Sequence, residues 1–269
     1  MTNIKIIFFD IDQTLMLTKR TPFGKTQSIP FGVPEALIKL KQKGIKIAIA
    51  TGKAYINFLP CVMDLIEKVG IDIFVTINGS YVLFKDQVIY SNPIEVQDIK
   101  CISEFFVKNK MNYAYVSDNF SYKFVPNKFK TLVRIITGKY IKDSNVYNKI
   151  PIYQIRASYT QDKDSFIQLN VLSSNLQAIR WADTGIDIVK KDTSKVFGVK
   201  KTLEFFKINS KDAMSFGDGL NDIEMLKEVG LSVCMGNGYD ELKEVADYVT
   251  SDIEDNGIIN ALKHFNILN

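Results

Sequence analysis

The sequence predicts an α/β protein: a parallel sheet flanked by helices, with an α+β module inserted into it. Three observations carry this. Ile4 to Phe9 reads as a strand whose β-prone apolar run, Ile6-Ile7-Phe8-Phe9, stops abruptly at two carboxylates, Asp10 and Asp12. Strand and helix signals then alternate, the order of β-α-β units with right-handed crossovers and parallel strands. That rhythm breaks near Tyr81 and resumes near Lys191, with hairpin-like segments between.

After the first strand, Val33, Leu37 and Leu40 repeat at i, i+4 and i+7 to give a helix face, with Pro34 at its start and Gly44 behind it. Ile45 to Ala50 reads as the second strand. Val62, Leu65, Ile66 and Val69 mark the next helix, closed by Gly70 and interrupted or restarted at Pro60, and Ile73 to Ile77 reads as the third strand. Within the insertion, Val82-Leu83-Phe84 and Val88-Ile89-Tyr90 flank a short polar turn as a hairpin would, and Ile99, Ile102 and Phe106 form a helix face. Tyr113 to Val116, Tyr122 to Val125, Ile152 to Tyr159, Phe166 to Leu172 and Ile186 to Val189 read as antiparallel strands, with a helical segment near Lys128 to Thr137. The alternation then returns. Val196, Val199, Leu203 and Phe206 share a helix face, Ala213 to Phe216 is a strand, and Ile223, Leu226 and Val229 mark a helix closed by Gly230. Leu231 to Met235 is a further strand, and Asn256 to Leu268 a C-terminal helix. The expected division is a catalytic core of residues 1–81 and 190–269 around an inserted unit of residues 82–189.

The 269 residues are 46% hydrophobic and 24% charged, an ordinary globular composition. A net charge of +4 is spread along the chain and no basic run is long enough to suggest nucleic-acid binding. Cys61, Cys101 and Cys234 are too few and too scattered for a disulfide framework or zinc site, which suits a reducing compartment. With no secretory leader and no span of ~18 apolar residues, the expectation is a cytoplasmic protein without membrane or nucleic-acid partners. No obligate protein partner is predicted.

Ligand sites of open α/β sheets lie beyond the carboxyl ends of the strands, where Asp10 and Asp12 fall. Alone, such a pair serves equally well to end a strand or cap a helix. A second acidic cluster more than two hundred residues later, Gly217-Asp218-Gly219-Leu220-Asn221-Asp222, also follows an apolar strand and precedes a helix.

Asp10-Ile11-Asp12-Gln13-Thr14, Thr51-Gly52, Lys195, and Gly217-Asp218 with Asn221-Asp222 together resemble the four ordered motifs of haloacid dehalogenase-superfamily phosphatases. The branch resembled is the Cof type, subclass IIB, and the likeness spans essentially the whole core. It implies a Rossmann-like core, an inserted α+β cap that selects substrate, Mg²⁺, and a small phosphorylated metabolite as substrate. Asp10 would be the nucleophile that forms an aspartyl-phosphate, and Asp12 the general acid and then base. Ile11, Thr51, Gly52, Lys195 and Asn221 would contact the phosphate. The Asp10 carboxylate, the Asp12 carbonyl and Asp218 would bind metal, with Asp222 orienting a metal-bound water.

Each residue has a plainer reading beside this one. Thr51 suits an N-cap, Lys195 a solvated surface, Asn221 a helix-start cap, and Asp222 the first turn of a helix. Lys191 is the nearest rival to Lys195. His264 reads as a surface residue, Trp181 as core, and Asn78-Gly79 as a turn that holds its loop. Lys53 stands where the family commonly has Arg, Gln13 where it has Gly, and Gly238 where Ala is frequent; Met16 to Gly32 reads as a mobile flap. The motifs leave a phosphomutase, or a phosphometabolite-binding regulator without turnover, open beside the phosphatase.

Overall fold

The computed structural model describes residues 3–22, 24–118, 121–124, 146–180 and 183–268. These form two compact units, one of Met1–Lys53, Asn57–Ser91 and Ser194–Asn269, the other of Ala54–Ile56 and Asn92–Thr193.

The first unit opens with β1 (Ile6–Phe9), all four residues buried. A hairpin follows, β2 (Leu17–Thr21) and β3 (Gly24–Ser28). Then α1 (Val33–Gln42), with Pro34 in its first turn, buries Val33, Ala36, Leu37 and Leu40. After β4 (Lys46–Ala50), α2 (Pro60–Val69) starts on its proline and stops at Gly70, which takes the left-handed conformation that a side chain resists. β5 (Ile73–Thr76), β6 (Tyr81–Phe84) and β7 (Gln87–Ser91) complete this segment.

The second unit holds α3 (Val96–Lys108), β8 (Asn112–Val116), β9 (Ser121–Phe124), β10 (Gln154–Ser158), α4 (Asp164–Asn170), β11 (Leu176–Arg180) and β12 (Gly185–Lys190). Its five strands pair antiparallel in the order β11-β12-β10-β8-β9. Ile99, Ile102 and Phe106 of α3 pack with Ile155, Ile186 and Ile188 of the strands in one core.

The chain then returns to the first unit through α5 (Lys195–Phe206), β13 (Ala213–Gly217), α6 (Ile223–Glu228), β14 (Leu231–Cys234), α7 (Asp240–Lys243), β15 (Tyr248–Val249) and α8 (Gly257–His264). Its eight-stranded sheet runs β15-β14-β13-β1-β4-β5-β6-β7. All pairs are parallel up to β5, and β6 and β7 continue antiparallel.

Four features depart from the sequence reading. Phe166 to Leu172, expected as a strand, lies mostly in α4; only Ile167 of that helix is buried, and so short an apolar run does not distinguish the two periods. Leu176–Arg180 is an unforeseen strand, half-buried and weakly patterned. The segment expected as a mobile flap contains β2 and β3, which carry no apolar alternation because neither strand has a buried residue. The hairpin at 82–90, expected within the insertion, is hydrogen-bonded to β5 and extends the main sheet. Val125, residues 128–137 and Trp181 lie outside the described residues. Among the described residues, no helix is long and apolar enough to cross a membrane.

Candidate active site

β13, β1 and β4 are neighbours and parallel, so their carboxyl ends share one edge of the sheet. Phe9 pairs with Phe216 on one side and Ile49 on the other. Asp10, Thr51 and Asp218 therefore leave the sheet within a residue or two of the same level. The strand order also reverses here, with β4 and β5 on one side of β1 and β13 to β15 on the other, which is a topological switch point.

Asp10 is buried, and its N–H donates to the Phe216 carbonyl at 3.1 Å. Its Oδ1 accepts from Lys195 Nζ at 2.5 Å, and the same ammonium donates to Asp222 Oδ1 at 2.6 Å. Lys195 is the first residue of α5 and only 1% exposed, so it is an internal charge and not a solvated surface lysine. Its position depends on the turn Ile77–Gly79. Gly79 has φ +82, and a Cβ there would lie 2.2 Å from the Ser194 carbonyl, so only glycine lets the start of α5 approach this closely.

Asp222 is fully buried, and both its oxygens are engaged. Oδ1 takes Lys195, while Oδ2 accepts the N–H groups of Asp218 at 3.3 Å and Gly219 at 3.1 Å. Gly217 permits this, because a Cβ there would sit 2.6 Å from Asp222 Cγ. Asp218 is partly buried, and its Oδ1 accepts from the Thr14 hydroxyl at 2.9 Å.

Carboxylate oxygens of Asp10, Asp218 and Asp222 lie within 4.8 Å of one another. Three acids around one lysine leave an excess of negative charge in a desolvated place. Burial lifts Asp10 to about 6, against the opposing pull of Lys195 and with the help of Asp222. Burial likewise lifts Asp218 to about 7, with Asp10 and Asp222 adding to it. For Lys195, burial disfavours the charge, but Asp10 and Asp222 outweigh it and raise the pKa. Oδ2 of Asp10 and Oδ2 of Asp218 accept no hydrogen bond among the described residues. Hard, charged and unengaged oxygens of this kind fit a small divalent cation such as Mg²⁺.

Asp12 has a different environment. Its side chain is 47% exposed, and its carboxylate pairs with the Lys53 ammonium. The departure at Lys53 thus engages the second motif acid directly. Both line a cavity of about 500 Å³ together with Gln13 and residues of the β2–β3 hairpin.

Thr51 is buried, and its hydroxyl accepts the Lys53 N–H at 3.2 Å, bending the chain after β4. Gly52 abuts Asn78, whose Oδ1 would be 2.9 Å from a Cβ at 52. Ile11 is buried, with its carbonyl accepting the Met16 N–H at 2.7 Å. Asn221 is exposed in the 3-10 turn Leu220–Asp222. His264 is exposed and stacked on Tyr248.

Sequence reasoning gave no role to Thr14 or Asn237. Asn237 donates to the Gln13 carbonyl at 2.9 Å and accepts from the Ile253 N–H at 2.8 Å, so it braces the first motif. Its signal is faint, an Asn between Gly236 and Gly238. Gln13 itself has φ 58, the left-handed region that favours glycine, and its side chain accepts the Thr18 N–H at 2.9 Å.

Known proteins share this chain's sequence pattern and fold. The family profile of haloacid dehalogenase-like hydrolases matches residues 7–262. YkrA of Bacillus subtilis, provisionally named a phosphatase, is 30% identical over 267 residues, 98% of each chain. Among solved structures, a hypothetical protein of Geobacillus kaustophilus superposes with a TM-score of 0.82 at 31% identity, over 98% of this chain and all of that one. A subclass IIB sugar phosphatase, BT4131, gives a TM-score of 0.81 at 29% identity, over 98% of this chain and 100% of that one. Matched along nearly its whole length in sequence and in fold, the chain belongs to the haloacid dehalogenase-like hydrolases.

Proposed function

We propose that this hydrolase is a Mg²⁺-dependent phosphatase of small phosphorylated metabolites, sugar phosphates or similar, working through an aspartyl-phosphate on Asp10. The observation that carries the reading is the buried set at the strand ends, in which one ammonium holds Asp10 and Asp222 while Asp218 stands beside them. A phosphate monoester is unreactive because its negative charge repels nucleophiles, so the site must align one and neutralise that charge.

Asp10 attacks phosphorus with a carboxylate oxygen, needing no prior deprotonation. Lys195 fixes the attacking group by holding Oδ1. As the phosphorus–oxygen bond to the leaving group breaks, Asp12 gives its proton to the departing alkoxide. Asp12 then takes a proton from the water that attacks the aspartyl-phosphate, releasing inorganic phosphate and restoring the Asp10 carboxylate. Thr51, Gly52, Ile11 and Asn221 receive the phosphoryl oxygens. Asp10, Asp218 and the Asp12 carbonyl would hold Mg²⁺, which would supply positive charge against those oxygens, and Asp222 keeps the Asp218 loop in place. In this reading the second unit selects the leaving group. Three cysteines free of disulfides suit activity in the reducing cytoplasm.

Phosphate release from p-nitrophenyl phosphate tests the reading. Asp10→Asn is expected to lower kcat by about 10⁶-fold, the scale of losing a nucleophile, and chelation of divalent metal to abolish turnover. Turnover unchanged by either treatment defeats the assignment.

A further inference from the structure

The cavity beside Asp12 has a wall that the chemical step does not use. Thr18 and Arg20 of β2, with Lys25 and Gln27 of β3, line it. These residues are two apart on each strand, and the register places Arg20 directly opposite Lys25 and Thr18 opposite Gln27. They therefore share one face of the hairpin. Lys19, on the alternate face, pairs instead with Glu254. Like charges placed directly across a strand pair destabilise a hairpin, and among the described residues neither Arg20 nor Lys25 makes an ion pair. The one acid lining the cavity, Asp12, is already paired with Lys53. Two uncompensated cations thus face a space large enough for a small metabolite.

Which part of the substrate they meet follows from the rest of the lining. Asp12, the proposed proton donor to the leaving group, opens into this cavity; Asp10, Thr51, Lys195 and Asn221, assigned to the phosphoryl end, are not among its lining residues. The hairpin therefore addresses the leaving group. We infer that Arg20 and Lys25 form a subsite for a second anionic group on the substrate, a phosphate or carboxylate carried by the portion that departs. Arginine presents a planar fork that fits either oxyanion, and lysine a point charge beside it. The inference rests on the phosphatase reading, since it takes Asp12 to mark the leaving-group side.

Two substrate pairs test it and separate the two sources of charge. Fructose 1,6-bisphosphate against fructose 6-phosphate adds a phosphate, and 3-phosphoglycerate against glycerol 3-phosphate adds a carboxylate. The doubly anionic member of at least one pair is expected to have the higher kcat/KM by about tenfold, mainly through KM, and the preference to shrink with added salt. In Arg20→Gln/Lys25→Gln the ratio falls to about one. Both residues are exposed, so this variant is expected to fold, which its melting temperature checks. Equal kcat/KM within both wild-type pairs, or a ratio unmoved by the double substitution, overturns the inference while leaving the phosphatase reading intact. Calorimetric binding of the same pairs to Asp10→Asn covers the converse: if the wild type releases no phosphate from any ester, the phosphatase reading fails. Binding then decides the subsite by the same ratio.

Discussion

The two units bury polar groups in opposite ways. The first encloses charges, with the Lys195 ammonium bonded to both Asp10 and Asp222 at the sheet edge. The second encloses mainly neutral groups, its buried carboxylate Asp187 pairing with the more exposed Arg156. Tyr115 and Ser103 share a 2.5 Å hydrogen bond between β8 and α3, and burial raises the pKa of Tyr115, keeping it protonated. Tyr159 is pushed up to about 12 for the same reason. A buried hydroxyl pair needs only a partner, whereas buried ions lose several kcal/mol of hydration each that packing does not return. The contrast teaches that the first unit carries an electrostatic cost at one place, the place where its chemistry lies.

The comparison breaks or sharpens at four points. The largest effect is expected at Asp12. Asp12→Asn lowers kcat by about 10²–10⁴-fold, the usual worth of general acid catalysis. The loss is greater for an alkyl phosphate than for p-nitrophenyl phosphate, whose leaving group needs no proton. Equal losses on the two esters would remove the proton-transfer role. Next comes Lys195→Met in the metal-free protein, which strands two buried carboxylates and is expected to cost about 3–5 kcal/mol in denaturant unfolding. A smaller cost than that of the tyrosine change below would undo the contrast between units.

Third is a pH effect. The folded pKa values of Asp10, about 6, and Asp218, about 7, lie above the ordinary 3.8, so the folded chain keeps protons that the unfolded chain releases. That stabilises the metal-free protein below pH ~4 and is lost as pH rises through about 6 to 7. Melting of chelator-treated protein is therefore expected to fall between about pH 5 and pH 7.5, and Mg²⁺ to raise Tm more at the higher pH. A metal shift that is the same at both values would contradict this account. The smallest effect is Tyr115→Phe, expected to cost about 1 kcal/mol, one net hydrogen bond, with turnover unchanged.

How far the sequence discloses these features depends on how local each cause is. β1, α1, β4 and β13 carry apolar periodicity and punctuation within ten residues of themselves, and their ends fall within two residues of expectation. The short elements of the second unit do not, and α4 shows why: the seven residues Phe166 to Leu172, five of them apolar, satisfy both periods until their neighbours choose. The exposed β2–β3 hairpin leaves no apolar trace at all.

The site divides in the same way. Asp10, Asp12, Thr51, Lys195, Asp218 and Asp222 stand out in sequence because each ends a strand or begins a helix or turn, positions set by local patterning. That Lys195 is sealed between Asp10 and Asp222, that Lys53 meets Asp12, and that Arg20 and Lys25 share a cavity wall with it depends on contacts between segments up to 185 residues apart. Periodicity records which face of an element avoids water. It does not record which distant side chain will stand opposite, and that proximity sets the charge balance of the site.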